Sequence, residues 1–312
     1  MPPMDAALTV RAPRPDEAQA ITDLVIECDV AEFGQPDFEL DDLLTDWHMP
    51  GFNLERDAVV VADGDRIVAY ASFVRGDYVD VYVHPDRRNA GIGKILLDWS
   101  ERRAVERVPP GQEIRVGQVI TTGETGARRL LEKHGYEPAR TYWRMTMPLA
   151  DSPPPPAWPE SVVVRTFDQE RDTRAVYALV QDAFGDNERH TADSFEEWQA
   201  FMIDRDAFEP GLWFIAESGG EIVGCVLCPN YEDEGWIRQL AVARDWRRRG
   251  LGTALLRQAM SEFHRRGRRE LGLVVDSWNR TGAKELYEHA GMQVTREHVR
   301  LEKTLRAPAA AS

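Results

Sequence analysis

Residues Trp236–Met260, WIRQLAVARDWRRRGLGTALLRQAM, leave few folds open to the chain that contains them. An apolar strand with Ile237, Leu240 and Val242 stops at Arg244, Arg247-x-x-Gly250-x-Gly252 follows, and an amphipathic helix then carries Leu251, Leu255, Ala259 and Phe263 at i+4 steps. A strand, a glycine turn and a helix start leave backbone N–H groups unpaired at the positive end of a helix dipole, where an anion can dock. Glycine at both positions lets the backbone approach that anion, because no Cβ intervenes. Arg247, Arg248 and Arg249 add forked donors suited to phosphate oxygens. Between Arg238 and Arg269 stand ten arginines and two acids, Asp245 and Glu262, in a chain whose formal net charge is −15. A local reversal of sign on that scale points to an anionic ligand, and the stretch reads as a pyrophosphate cradle. The plainer alternative is a glycine pair that breaks a loop ahead of an ordinary core helix.

Two familiar phosphate motifs fit poorly. A dinucleotide fold asks for G-x-G-x-x-G, and the third glycine position here is Leu255; a P-loop signature is absent. What R-x-x-G-x-G between strand and helix resembles is motif A of the GNAT superfamily of N-acetyltransferases. The resemblance continues downstream through the strand Glu270–Asp276 into Asn279-x-Thr281-Gly282-Ala283-x-x-Leu286-Tyr287-x-x-x-Gly291-Met292, which is similar to the superfamily's second signature. A first copy of motif A stands at His84-Pro85-x-x-Arg88-Asn89-Ala90-Gly91-Ile92-Gly93-Lys94, after the alternating strand YVDVYV. The two glycine pairs are 159 residues apart, so the repeat is a duplicated domain and not a short solenoid unit.

The resemblance implies an α/β (α+β) protein of two tandem GNAT-like domains, each a mixed, mostly antiparallel central sheet flanked by helices, with acetyl-CoA as cofactor. Cofactor contacts are expected from Leu240, Ala241, Val242, Arg247, Arg248, Arg249, Gly250, Leu251, Gly252, Thr253, Asn279 and Tyr287. In the first copy they are expected from Val81, Val83, Arg88, Asn89, Ala90, Gly91, Ile92, Gly93 and Lys94. Tyr287 takes the general-acid role by resemblance, since a phenol can donate to a thiolate as its charge develops, and Asn279 a polar contact to the pantetheine arm. A core aromatic and a helix N-cap are the structural alternatives for these two. Many family members carry a glutamate where Trp236 stands, so the base is sought just upstream at Glu232, Asp233 or Glu234, with Glu234 the choice, directly or through water; the alternatives are a solvated acidic loop and an already poised amine that needs no strong base. Asp186, Glu188, His190 and Trp198 are expected to wall the acceptor pocket, or else to form a surface loop.

Aligning GETGARRLLEKHGY with NRTGAKELYEHAGM sets Gly123 opposite Asn279 and Leu131 opposite Tyr287, so the groups able to do proton chemistry survive only in the second copy. The run DSPPPPAWPE, residues 151–160, cannot enter a helix or a central strand and favours a stiff spacer. It sets the expected organisation: a degenerate domain at 1–150, a linker at 151–160, a catalytic domain at 161–306 closed by a strand at 293–305, and a flexible tail at 307–312.

With 53 acids against 38 lysines and arginines, a nucleic-acid partner is disfavoured, because phosphate neutralisation needs an extended basic face. The N-terminus has no apolar h-region and no run approaches a membrane span, so a soluble cytoplasmic protein without a membrane partner is expected, monomeric or homodimeric. Cys225-x-x-Cys228 lies in a strand-like run whose i and i+3 positions face opposite sides, which reads as core cysteine. The seven histidines show no ligand spacing, and no metal site is expected. The leading function is acetyl transfer to a primary amine of a small molecule or peptide; a protein N-acetyltransferase and an acetyl-CoA-binding regulator with little turnover are the rivals.

Overall fold

The computed structural model describes residues 8–186, 192–279 and 281–308. Two compact units emerge: one holds the chain up to Arg140 together with the segment from His298 onward, and the other is Thr141–Glu297. Each is built of mixed, mostly antiparallel strands flanked by helices, as expected.

The first unit runs β1 (Thr9–Arg11), α1 (Ala18–Phe33), α2 (Leu40–Trp47), α3 (Leu54–Asp57), β2 (Ala58–Asp63), β3 (Arg66–Arg75), β4 (Tyr78–Val83), α4 (Ile92–Glu106), β5 (Glu113–Thr121) and α5 (Thr125–Lys133). β1 to β4 form an antiparallel meander. β4 then runs parallel to β5, but pairs with it only at Tyr78 and Gly117, after which the two strands diverge. Ile21, Leu24, Leu43 and Tyr70 close one face of the sheet, and Val59, Val61, Ile92 and Leu96 close the other.

β6 (Glu137–Pro148) leads into the second unit, which continues through β7 (Val163–Thr166), α6 (Gln169–Phe184), α7 (Phe195–Met202), β8 (Phe214–Ser218), β9 (Glu221–Leu227), β10 (Gly235–Ile237), β11 (Gln239–Val242), α8 (Leu251–Arg265), β12 (Glu270–Asp276) and α9 (Ala283–His289). α6 and α7 start where the sequence offers caps. Asp168 Oδ1 accepts from the Arg171 amide at 3.1 Å, and Ser194 and Glu197 bond each other's amides in a capping box. One face of the sheet buries Val176, Val180, Trp198, Trp213 and Ile215 under α6 and α7; the other buries Leu251, Leu255, Phe263, Leu273 and Tyr287 under α8 and α9. Cys225 lies in the first of these cores and Cys228 in the second, both unbridged, as core cysteines on opposite faces should.

The boundaries drawn from the sequence need correction. The last strand, β13 (Gln293–Arg306), does not close the second half: His298–Arg306 pair antiparallel with Thr121–Glu113 of β5, and Val299 and Leu301 enter the first unit's core. β6, the last strand before the proline run, pairs with β12, from Tyr142 opposite Asp276 to Pro148 opposite Glu270. Each unit is therefore completed by a strand from the other half of the sequence. The proline run is not the boundary between the units either. Residues 151–160 follow Leu149, whose amide bonds the Arg269 carbonyl at 2.7 Å, and Trp158 packs against the second unit's core.

Candidate active site of the second unit

α8 differs from α6 and α7 in having no side-chain cap: its N-cap is Gly250 at φ +82°. Arg248, just before it, holds φ +59°, a left-handed conformation that costs an arginine about 1 kcal/mol or more and persists only where the surroundings require it. The first unit repeats the turn, with Asn89 at φ +65° and Gly91 at φ +84°. Only glycine adopts the second position without strain. Among the described residues, no acceptor is recorded for the amides of Arg248 to Thr253, nor for those of Asn89 to Gly93, while Ala254 and Lys94 resume the helical pattern by bonding the Gly250 and Gly91 carbonyls. Gly250 is exposed, so these donors face solvent and can receive an anion. The side chains of Leu251 and Ile92 are buried in the core, and only their amides can take part.

Not every arginine of the triplet is free for phosphate. Arg247 Nη1 bonds Asp186 at 2.6 Å, Nε bonds the Val242 carbonyl at 3.2 Å, and Nη2 reaches the Ala183 carbonyl at 3.5 Å. It ties the end of α6 to the end of β11, and with Arg244 it holds the Asp186 carboxyl below the ordinary aspartate value. Arg249 lies over Trp246 at 5.1 Å, and Arg248 is exposed. In the first unit Lys94 bonds Asp98 at 2.6 Å, and Arg88 is exposed.

Beyond the cradle the sheet opens. β10 pairs in parallel with β12 from Gly235 opposite Leu271 to Ile237 opposite Leu273. Past that point Leu240, Ala241 and Val242 pair only with β9, and Val274 to Asp276 only with β6. Alternate peptide groups along each strand thus point into a gap that no strand fills. Leu240 and Val242 are half-buried beside it, whereas the Ala241 side chain is buried in the core under α6.

α9 places Tyr287 in the core cluster that contains Leu251, Leu273 and Val275, residues drawn from both sides of the gap. Tyr287 is 8% exposed. Burial pushes its phenol up to about 12, so the hydroxyl keeps its proton across the working pH range. Among the described residues it has no hydrogen-bond partner. Asn279 is not the cap of α9, since Gly282 occupies that position. Its Oδ1 accepts from the amide and hydroxyl of Thr281 at 2.8 and 2.6 Å, so the residue shapes the turn before α9 and only its Nδ2 is left to meet a ligand.

The opposite face of β6, β12 and β10 carries Glu234 and Trp236 together with two residues that the sequence did not single out, Arg144 and Val274. Glu234 accepts from Arg144 Nη2 through both carboxylate oxygens, at 2.9 and 3.0 Å. Arg144 lies over the Trp236 ring at 4.6 Å, and Val274, although on the strand between β6 and β10, is 49% exposed. Trp198 is wholly buried and donates to Gln239 Oε1 at 3.1 Å, so it supports the gap from behind and does not wall it. Glu188 and His190 lie outside the described residues. A surface groove of about 710 Å³ lined by Gln169, Arg171, Arg174, Phe195 and Gln199 sits at the start of α6, opposite the end that Arg247 holds, and contains none of these groups.

The first unit keeps the cradle, and a helix crosses the gap where β4 and β5 part. Cys28 of α1 donates to the Val83 carbonyl at the end of β4 at 3.4 Å, and the Thr121 hydroxyl at the end of β5 donates to Glu32 of the same helix. One helix thereby spans both diverging strands. In α6, Leu179 and Ala183 occupy the positions of Cys28 and Glu32 when the halves are aligned on their Phe-Gly pairs, Phe33-Gly34 and Phe184-Gly185, and neither side chain can make such bonds.

The family model described as Acetyltransferase (GNAT) family matches residues 148–292, and the one described as Acetyltransferase (GNAT) domain matches residues 55–138. The mycothiol acetyltransferase of Geodermatophilus obscurus is 30% identical over 254 residues, covering 76% of this chain and 78% of that protein. The mycothiol acetyltransferase of Thermobispora bispora is 29% identical over 253 residues, covering 75% and 79%. Among solved structures, a GCN5-related N-acetyltransferase from Sphaerobacter thermophilus is 37% identical with a TM-score of 0.79, covering 97% of this chain and 98% of that one. A tandem GNAT protein from the clavulanic acid biosynthesis pathway shares the fold at 16% identity, with a TM-score of 0.73 and coverage of 97% and 100%.

Proposed function

The chain belongs to the GNAT acetyltransferase family as a tandem of two such domains, and from that premise we propose that its second unit moves an acetyl group from acetyl-CoA to the primary amine of a small molecule. The observation that carries this reading is the open gap between β11 and β12, with free amides at one end and a protonated phenol packed beneath it. When bound, acetyl-CoA supplies the acyl group: a C–N bond forms as the C–S bond breaks, the amine gives up a proton to solvent, and the departing thiolate gains one. The residues do the rest. The amides of Arg248 to Thr253 would hold the pyrophosphate, with Arg248 and Arg249 beside them. Peptide N–H groups of Leu240 to Val242 are suited to polarising the thioester carbonyl. Tyr287 donates to the leaving sulfur. Fixing both reactants in one slot lowers the entropic part of the barrier.

The names of the relatives support a small-molecule acceptor. The decisive experiment is release of free thiol from acetyl-CoA across a panel of primary amines, from amino sugars and thioether amines to the N-terminus of a short peptide. Amine-dependent release with small amines is the expected result; no release with any amine would overturn acetyl transfer, and release with peptides alone would favour the protein-acetylating reading.

The first unit is assigned no acyl group, because α1 spans its diverging strands. Calorimetric titration of the full chain with acetyl-CoA is therefore expected to show one binding event per chain. Two events would refute that assignment.

A further inference from the structure

The face of the second sheet turned away from α8 and α9 carries a group of side chains that the transfer chemistry does not yet use. Trp236 pairs across the strands with Gly272, and its ring occupies the space where a Cβ on Gly272 would come within 2.6 Å, so only glycine allows the indole to lie there. The guanidinium of Arg144 lies over that ring. The Arg144 side chain is 7% exposed, and its Nη2 is shared between the two oxygens of Glu234, whose side chain is 23% exposed. The stack holds the guanidinium in place, and the guanidinium orients the carboxylate. Beside them the exposed side chain of Val274 leaves an apolar floor open to solvent in the middle of a sheet. The cradle and the phenol belong to the helices on the other face, so an acceptor meeting the thioester in the gap comes from this side.

We propose that Arg144 is a positioning residue for the acceptor: it fixes Glu234 as a carboxylate anchor that draws the ammonium of the incoming amine to the gap, where the amine loses its proton to solvent before it attacks, and Glu234 is not the general base. The inference rests on the acetyl-transfer reading of the second unit. A guanidinium beside a carboxylate favours the ionised form, and an ionised, partly exposed carboxylate attracts an ammonium. The role thus departs from that of a base, direct or through water, expected of Glu234. It also makes the acceptor site depend on a residue that precedes the proline run, since β6 delivers Arg144.

Arg300 stands at the matching place in β13 when the halves are aligned on Tyr136 and Met292. It bonds Asp77 at 2.7 Å and fills the space above Gly117, where β4 and β5 part. An arginine at this position therefore also braces the fork between the strands. The test must separate bracing from anchoring.

Steady-state kinetics of the full chain with the small amine of highest turnover in the panel, for Arg144→Lys, Arg144→Met, Glu234→Gln and the double variant Arg144→Met/Glu234→Gln, make that separation. Glu234→Gln keeps the shape of the side chain and should raise KM for the amine by roughly tenfold to a hundredfold, leaving kcat and KM for acetyl-CoA within about threefold. Arg144→Met should do the same, Arg144→Lys should recover most of the loss, and the double variant should be no worse than either single one, because both act on one contact. The acidic limb of kcat/KM should be unchanged in Glu234→Gln, reporting the free amine and not this carboxylate. An unchanged amine KM in Glu234→Gln, or loss of that acidic limb, overturns the proposal while leaving acetyl transfer intact. A wild-type chain that releases no thiol with any amine removes acetyl transfer and the proposal together.

Discussion

Tyr287→Phe is expected to lower kcat for acetyl transfer by about 10²- to 10⁴-fold while changing the affinity for acetyl-CoA by no more than about twofold. The phenol is buried among Leu251, Leu273 and Val275, and desolvation alone raises it to about 12. A group whose proton affinity is raised this far stays protonated well above neutrality. It can therefore give its proton to a sulfur whose charge is developing, and it should produce no alkaline limb in kcat below about pH 10. Phenylalanine keeps the ring and its packing and removes only the donor, whose hydroxyl has no protein partner to leave stranded among the described residues. Near wild-type thermal stability together with lost turnover would assign the hydroxyl to chemistry. Unchanged turnover would make Tyr287 a core aromatic and nothing more.

The parts of this site that were legible in the sequence are those governed by local backbone chemistry. Gly250 and Gly91 sit at positive φ because the turn from strand to helix requires it, and that requirement is written in the glycine itself. The uncapped start of α8 and the order of strand, turn and helix follow from the same few residues. Arg247 is different. The local excess of arginine offered it as a phosphate donor, but Asp186 lies 61 residues away in the chain and only tertiary structure shows that it claims the guanidinium. Trp198 and Arg144 were obscured in the same way, since their partners Gln239 and Glu234 lie 41 and 90 residues distant. Arg144 had one accessible signal, its register with Arg300 in the duplicated strand. The exchange of β6 and β13 left no sequence signature at all. Alternation identifies a strand and the face it buries, not the partner at its edge, and the two closing strands occupy equivalent places in the repeat.

The exchange has a consequence that the sequence boundaries would invert: a fragment of residues 161–312, complete by those boundaries, is expected not to fold into an active unit. It lacks β6, so β12 loses the partner that pairs with it from Glu270 to Asp276, and the core of the second unit loses Met145 and Leu149, both almost fully buried. Each such side chain contributes roughly 1.5–3 kcal/mol by burial. Their loss, with an unpaired central strand edge, consumes a large part of the about 5–15 kcal/mol of net stability typical of a domain. The fragment also keeps β13 with nothing to pair, exposing Val299, Leu301 and Leu305, which pack with Phe73, Val116 and Tyr136 in the full chain. Such an apolar edge strand favours aggregation. Removing the residues after Met292 from the full chain is expected to unfold the first unit for the reciprocal reason, since β5 loses its pairing over His298–Arg306. Circular dichroism melts and thiol release on the 161–312 fragment, on residues 141–297 and on the full chain provide the check. The expected order is no cooperative transition for the first, a cooperative transition for the second, and full activity for the third. A cooperative melt and undiminished turnover from residues 161–312 would mean that each half closes on its own strand and that the exchange carries no stability.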